Sequence, residues 1–164
     1  MEAVEEARWL TGEEQQAWFA LAGMISWLPD VLDAQLQRDA GISHFEDSVM
    51  AMLSMSPERT MRMSEVGALA NGALPRLSRT VDRLEKRGWV ARRPDPQDGR
   101  STLAVLTEAG WEKVVATAPG HVAEVRRLVF DPMTRAQSRQ LREIGARVLR
   151  AVDPDGPRPG AHPF

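Results

Sequence analysis

The sequence predicts a mainly α-helical fold that carries one small β-hairpin, and three observations predict it. Apolar residues recur at three- and four-residue intervals over most of the chain, in segments opened by Ser/Thr-x-x-Glu/Gln boxes that cap helices. Two shorter helical segments meet at Asn71-Gly72, a dipeptide that tolerates positive φ and turns the chain. Two runs with strand character, 89–93 and 102–106, flank a segment rich in Pro, Asp and Gly, which is the composition of a hairpin loop.

The first helix, about 12–40, opens on the box Thr11-Gly12-Glu13-Glu14 and carries the stripe Trp18, Leu21, Ile25, Leu28, Leu32 and Leu36. Pro29 lies inside it with the stripe in phase on both sides, so a kink is expected there, and Gly41 marks the end. Ser43-His44-Phe45-Glu46 opens a second helix with Phe45, Val49, Met52 and Leu53 inward, ended by Pro57. A third, 62–70, turns Val66 and Leu69 inward. The fourth, about 74–87, buries Leu77, Val81 and Leu84 and ends at Gly88, where a left-handed cap is wanted. Helix, turn, helix and hairpin in that order make a winged helix-turn-helix. Thr107 caps a fifth helix carrying Trp111, Val114, Val115, Val122, Val125 and Val129, with an interruption expected at Pro119-Gly120. Thr134-Arg135-Ala136-Gln137 opens the last helix, with Leu141, Ile144, Val148 and Leu149 as its stripe. Residues 1–152 thus read as a single unit, and 153–164, rich in Pro and Gly, as a disordered tail.

Composition narrows the function. Apolar residues make up 43% of the chain and charged residues 27%, the balance of a globular domain, and no apolar run reaches the length of a membrane span. The first residues are acidic where a secretory leader is basic, so the expected compartment is the cytoplasm. Zero cysteines exclude disulfides, thiolate metal sites and switching by thiol oxidation. The three histidines, His44, His121 and His162, lack metal-ligand spacing, and no phosphate-cradling or nucleophile motif is present; no enzyme activity, cofactor or metal is expected.

The net charge of −2 hides an asymmetry. Residues 76–100 hold eight basic and four acidic side chains, a local +4 that leaves −6 for the remainder. Of 21 basic residues 19 are arginine, the side chain suited to forked phosphate and guanine contacts. With Leu77, Val81 and Leu84 inward, Arg76, Arg79, Arg83 and Lys86 point outward on the fourth helix, with Pro75 and Ser78 near its start. That is the layout of a recognition helix in a major groove. Arg92, Arg93 and Arg100 surround the hairpin loop, where an arginine has the shape and charge to enter a minor groove; Asp98 stands two positions before Arg100 and is expected to accept from its guanidinium. The bland alternatives are a solvated helix face, with Asp82 pairing Lys86, and an ordinary surface hairpin.

Residues 77–107, with the run Val81-Asp82-Arg83-Leu84-Glu85-Lys86-Arg87-Gly88, the loop Asp95-Pro96-Gln97-Asp98-Gly99-Arg100-Ser101 and the exit Leu106-Thr107-Glu108-Ala109-Gly110, resemble the MarR family of bacterial transcription regulators. With the flanking helices the resemblance covers roughly 12–152. It implies a DNA-binding lobe, about 43–106, between dimerisation helices, about 12–40 and 107–152. It further implies a homodimer reading a pseudo-palindrome in double-stranded DNA, with Arg100 in the minor groove, Asp98 orienting it, and repression as the expected outcome. Ala73 and Arg62 stand where the family has capping residues for the fourth and third helices. Family members respond to small aromatic or anionic ligands bound between lobe and dimer body. Trp18, Met24, Trp27, His44, Phe45 and Met52 are the candidates to line such a pocket, though residues of this type at helical spacing more often belong to a core or dimer interface. The rival class is a winged-helix scaffold for protein contacts, without specific DNA binding.

Overall fold

The computed structural model describes residues 8–69 and 74–154. The expected Asn71-Gly72 turn, Ala73 and most of the tail lie outside the described residues. Among the described residues six α-helices and three strands run in the order α1 (Gly12–Ala40), α2 (His44–Met55), β1 (Thr60–Arg62), α3 (Met63–Leu69), α4 (Leu74–Lys86), β2 (Val90–Pro94), β3 (Thr102–Leu106), α5 (Glu108–Val125) and α6 (Arg135–Val152). No helix among the described residues is long and apolar enough to cross a membrane.

Local chemistry sets the boundaries. The Thr11/Glu14, Ser43/Glu46 and Thr134/Gln137 boxes close both ways, each side chain accepting from the other's backbone N–H at the start of α1, α2 and α6. Gly41 ends α1 at φ 65° and Gly88 follows α4 at φ 73°, both left-handed. α1 runs unbroken across Pro29. α5 likewise runs through Pro119-Gly120, where an interruption was expected. Pro119 is exposed, so its ring faces water, and the backbone bond it forfeits is one that water can replace.

Residues 57–59 form a single 3-10 turn in which Glu58 and Arg59 adopt φ of 51° and 53°. The turn delivers β1, a strand the sequence reading did not contain. Arg62 therefore ends a strand and does not begin α3, whose first turn is tied by the Arg62 N–H donating to Glu65 Oε2 at 3.1 Å. The sheet is antiparallel in the order β1-β3-β2, with Met61 opposite Ala104 and Arg92 opposite Ala104 on the other side.

One core joins every element of the lobe to the end of α1. Leu36, Ile42, Val49, Met50, Leu53, Val66, Leu77, Val81, Leu84, Val90, Ala104 and Leu106 form a single buried cluster. On α2 the inward phase is Glu46, Val49, Met50 and Leu53; Phe45 and Met52, expected inward, flank it half-buried. By contrast α6 buries no residue, and its stripe residues Leu141, Ile144, Val148 and Leu149 are all exposed. The first half of α1 is similar: Trp18, Phe19, Ile25 and Trp27 are exposed, Trp27 to 75%.

The chain passes from the lobe into α5 through a tight junction. Thr107 donates its N–H to the Trp89 carbonyl at 3.0 Å and its hydroxyl to the Gly88 carbonyl at 2.6 Å, and accepts from the Gly110 N–H at 3.0 Å. A Cβ on Gly110 would overlap the Trp89 carbonyl oxygen and press on Leu106. Gly110→Ala is expected to destabilise the protein by about 1–3 kcal/mol, as overpacking does. Gly120→Ala, where an added Cβ meets only Gln35 Nε2 at 3.8 Å, should instead stabilise by roughly 0.5–1 kcal/mol. Urea unfolding midpoints of the two variants check the pair of signs.

Candidate nucleic-acid interface

α4 buries Leu77, Thr80, Val81 and Leu84, and the helical period turns Pro75, Arg76, Ser78, Arg79, Arg83 and Lys86 to the exposed side. Those six do not share one role. The Arg76 guanidinium lies over the Phe45 ring, 4.2 Å from its centroid, which fixes the start of α4 against α2. Arg79 Nε donates to the Pro75 carbonyl at 3.1 Å, one turn back along the helix. Arg83, expected to project toward a ligand, leans against α2 instead: its Nε donates to Glu46 Oε1 at 2.8 Å and its Nη2 to Thr80 Oγ1 at 3.2 Å. Burial pushes the Glu46 carboxyl up, but donation from Arg83 and from the Ser43 N–H outweighs it and holds the group below its ordinary value. Lys86 has no protein partner among the described residues.

The hairpin is braced at both edges. Asp95, 6% exposed, begins the loop; one oxygen accepts from the Gln97 N–H and the other from Arg62 Nε of β1, both at 2.8 Å. Donation from the Gln97 N–H, assisted by Arg62, holds the Asp95 carboxyl below its ordinary value against the opposing effect of burial. On the other edge Arg92 turns back onto α4. Its Nη1 donates to Asp82 Oδ1 at 2.6 Å and Glu85 Oε2 at 2.5 Å, and its Nη2 to the Ser78 carbonyl at 2.9 Å and hydroxyl at 3.3 Å. Its own N–H donates to Glu85 Oε1 at 2.8 Å. Arg92 was expected to project with Arg93 and Arg100, and it does not.

Asp98 also departs from expectation. Its Oδ1 accepts from the Arg100 backbone N–H at 3.1 Å and its Oδ2 from the Ser101 hydroxyl at 2.9 Å, so it shapes the loop and leaves the guanidinium alone. The short side chain reaches the main chain two residues on more readily than the end of a long arginine, the geometry of an Asx turn. Arg93 and Arg100 are exposed and have no side-chain partner among the described residues.

The six candidate pocket residues are scattered. Met24 and Trp27 line a shallow open groove on α1 with Phe19, Gly23, Val31 and Leu128, while Trp18 is not part of it. Phe45 lies beneath Arg76, and Met52 packs on the core. Within the single chain the six do not line one groove. His44 belongs to a polar junction of α1, α2 and α5. Its backbone N–H donates to Asp33 Oδ1 at 2.7 Å, and its ring faces that of His121 at 5.8 Å. His121 in turn sits 3.2 Å from Gln35 Oε1 and 3.9 Å from Asp47 Oδ2.

Sequence reasoning missed Asp95, Arg62, Glu46 and Glu85 as parts of this surface. A signal existed for Asp95, since an Asp before Pro at a loop start favours an Asx turn; none existed for the others, whose partners lie on different elements.

The model of the MarR family matches residues 48–102. The crystal structure of Sco3205, a MarR family transcriptional regulator from Streptomyces coelicolor, in complex with DNA, superposes with a TM-score of 0.87 at 44% identity, over 92% of this chain and 94% of that one. Among curated relatives, the HTH-type regulator YdcH of Bacillus subtilis is 37% identical over 60 residues, 37% of this chain and 41% of YdcH. The transcriptional repressor MprA of Escherichia coli is 26% identical over 110 residues, 66% of this chain and 62% of MprA. The chain thus spans less than two thirds of both.

Burial, with the neighbouring His121 adding to it, pushes the His44 imidazole below its ordinary value of 6.5. Protonation would place an N–H at Nδ1, which is buried without a protein partner among the described residues. A depressed folded-state value makes the unfolded chain the better proton acceptor, so this contribution to stability is present above about 6.5 and is lost as pH falls below it. Burial raises Asp47, a contribution of opposite sign that begins at carboxylate pH. Unfolding free energy should therefore fall between pH 7 and pH 5, and His44→Gln should flatten that dependence; an unchanged slope in the variant contradicts the assignment.

Proposed function

Because the chain belongs to the MarR family, we propose that it is a sequence-specific, double-stranded DNA-binding transcriptional regulator. It acts as a homodimer on a pseudo-palindromic operator and represses by occluding a promoter. The observation that carries this reading is where the acidic groups of the basic segment go. Asp82 and Glu85 are taken up by Arg92, Asp95 by Arg62 and a backbone N–H, and Asp98 by the main chain and Ser101. Lys86, Arg93 and Arg100 are left facing outward unopposed, on a lobe whose remainder is acidic. An arrangement that neutralises its own anions and presents its cations suits a polyanion.

In this reading α4 enters the major groove with Arg79 and its neighbours near the N-terminal end. Arg100 at the hairpin tip enters the adjacent minor groove, and Arg93 and Lys86 meet phosphate. The second copy covers the exposed apolar faces of α1 and α6, and two-fold symmetry then sets the two α4 helices against half-sites about one helical turn apart. A small aromatic or anionic effector would act where the lobe meets α1 and α5, since that junction is the contact through which a change in the body reaches α4. The localisation that follows is the cytoplasm, where such an operator is found.

Selection from a random duplex pool at physiological salt is expected to recover a pseudo-palindrome with that spacing. On the selected duplex Arg100→Ala should lower the slope of log affinity against log salt by about one. Arg79→Ala should cost about 1–3 kcal/mol of discrimination at the contacted base pair. Recovery of only weak, sequence-blind binding would favour the scaffold for protein contacts, and an unchanged Arg100→Ala isotherm would remove the hairpin tip from the interface.

A further inference from the structure

We infer that Arg92 is a positioning residue for DNA recognition: it holds the hairpin at a fixed angle to α4 and does not itself touch the duplex. The inference rests on the DNA-binding reading above and assigns that surface an internal strut. Ser78, Asp82 and Glu85 lie at i, i+4 and i+7 of α4, one line along two turns of the helix. The Arg92 guanidinium spans that line with four donated bonds, and its backbone N–H adds a fifth to the same Glu85. Its side chain is only 26% exposed, which places the bonds partly out of reach of salt.

The hairpin needs such a strut. β1 supports β3 only at residues 103–105, so the outer part of the hairpin, from the Pro94–Thr102 pair outward, extends beyond the third strand. The Arg62–Asp95 pair steadies the β1 side of the extension. Arg92 steadies the other side and, among the described residues, carries the polar link from hairpin to recognition helix. A planar fork with donors in fixed directions can bridge three residues at once, whereas a lysine ammonium on a flexible stem cannot hold the same angle. Arg92 also offsets two carboxylates, three residues apart on the helix, that would otherwise repel phosphate.

Two variants, each measured on the duplex recovered from the random pool and on random-sequence duplex, test the assignment. Arg92→Lys keeps the charge and removes the fork. The double variant Asp82→Ala with Glu85→Ala removes two negative charges from the proposed DNA face while releasing Arg92. If Arg92 positions the hairpin, both should reduce the ratio of specific to random-duplex affinity by roughly tenfold, on the scale of one lost charge-assisted hydrogen bond. The salt slope of Arg92→Lys should stay at the wild-type value. A phosphate contact at Arg92 predicts instead that Arg92→Lys behaves as wild type, and a base contact predicts that the double variant keeps or raises the ratio; either result overturns the proposal. Partial unfolding lowers both affinities in proportion and leaves the ratio unmoved, so a structural defect cannot imitate the expected outcome. Wild-type protein with no preference for the selected duplex would remove the DNA-binding reading and this inference with it, whereas a wild-type preference retained in either variant removes only the role of Arg92.

Discussion

The interaction on which the structure depends is the burial of one stripe of α4. Leu77, Val81 and Leu84 are fully buried, and each contributes about 1.5–3 kcal/mol relative to exposure. They pack into a cluster that also takes residues from α1, α2, α3, β2 and β3. Since a helix has one rotational phase, fixing this stripe fixes where Arg79 and Lys86 point. The same cluster includes Val90, Ala104 and Leu106, so the sheet that carries the hairpin is set by the same core as the helix beside it. Helix and hairpin form one rigid surface because their apolar sides share an interior.

Arginine does two kinds of work on that surface. Arg62, Arg83 and Arg92 are spent within the protein, each joining elements distant in sequence: β1 to the loop, α4 to α2, and β2 to α4. Each of the three has a carboxylate partner that is buried or half-buried, which raises its worth above that of an exposed ion pair. Arg93 and Arg100 are left over, and their lack of partners is what makes them available. Counting basic residues in 76–100 therefore overstates the number that can meet a ligand, though the sign of the surface is unchanged.

Local signals could be read from the sequence, and pairings between elements could not. The capping boxes at Thr11, Ser43 and Thr134, the left-handed glycines at 41 and 88 and the stripe of α4 depend on residues within one turn of each other. β1 was hidden because a three-residue strand has no period to detect and takes its hydrogen bonds from β3, more than forty positions on. Met50 and Met52 offered α2 two inward phases, and only packing against the lobe selects Met50. Pro119 carries a local breaking signal that the surrounding helix overrides. Gly110 had its place in the exit motif, but its reason is the Trp89 carbonyl pressed against α5, which only the folded chain reveals. The arginines were found by type and face; which would be tied down depended on acids on other elements.

The account holds that one rigid lobe addresses two adjacent grooves, and methylation interference on the bound duplex tests it most directly. Dimethyl sulfate marks guanine N7 in the major groove and adenine N3 in the minor groove. The account predicts interference from major-groove guanines in two half-sites about one helical turn apart, flanked by minor-groove adenines where the hairpin tips sit. Interference from one groove alone, or from neither, would contradict it.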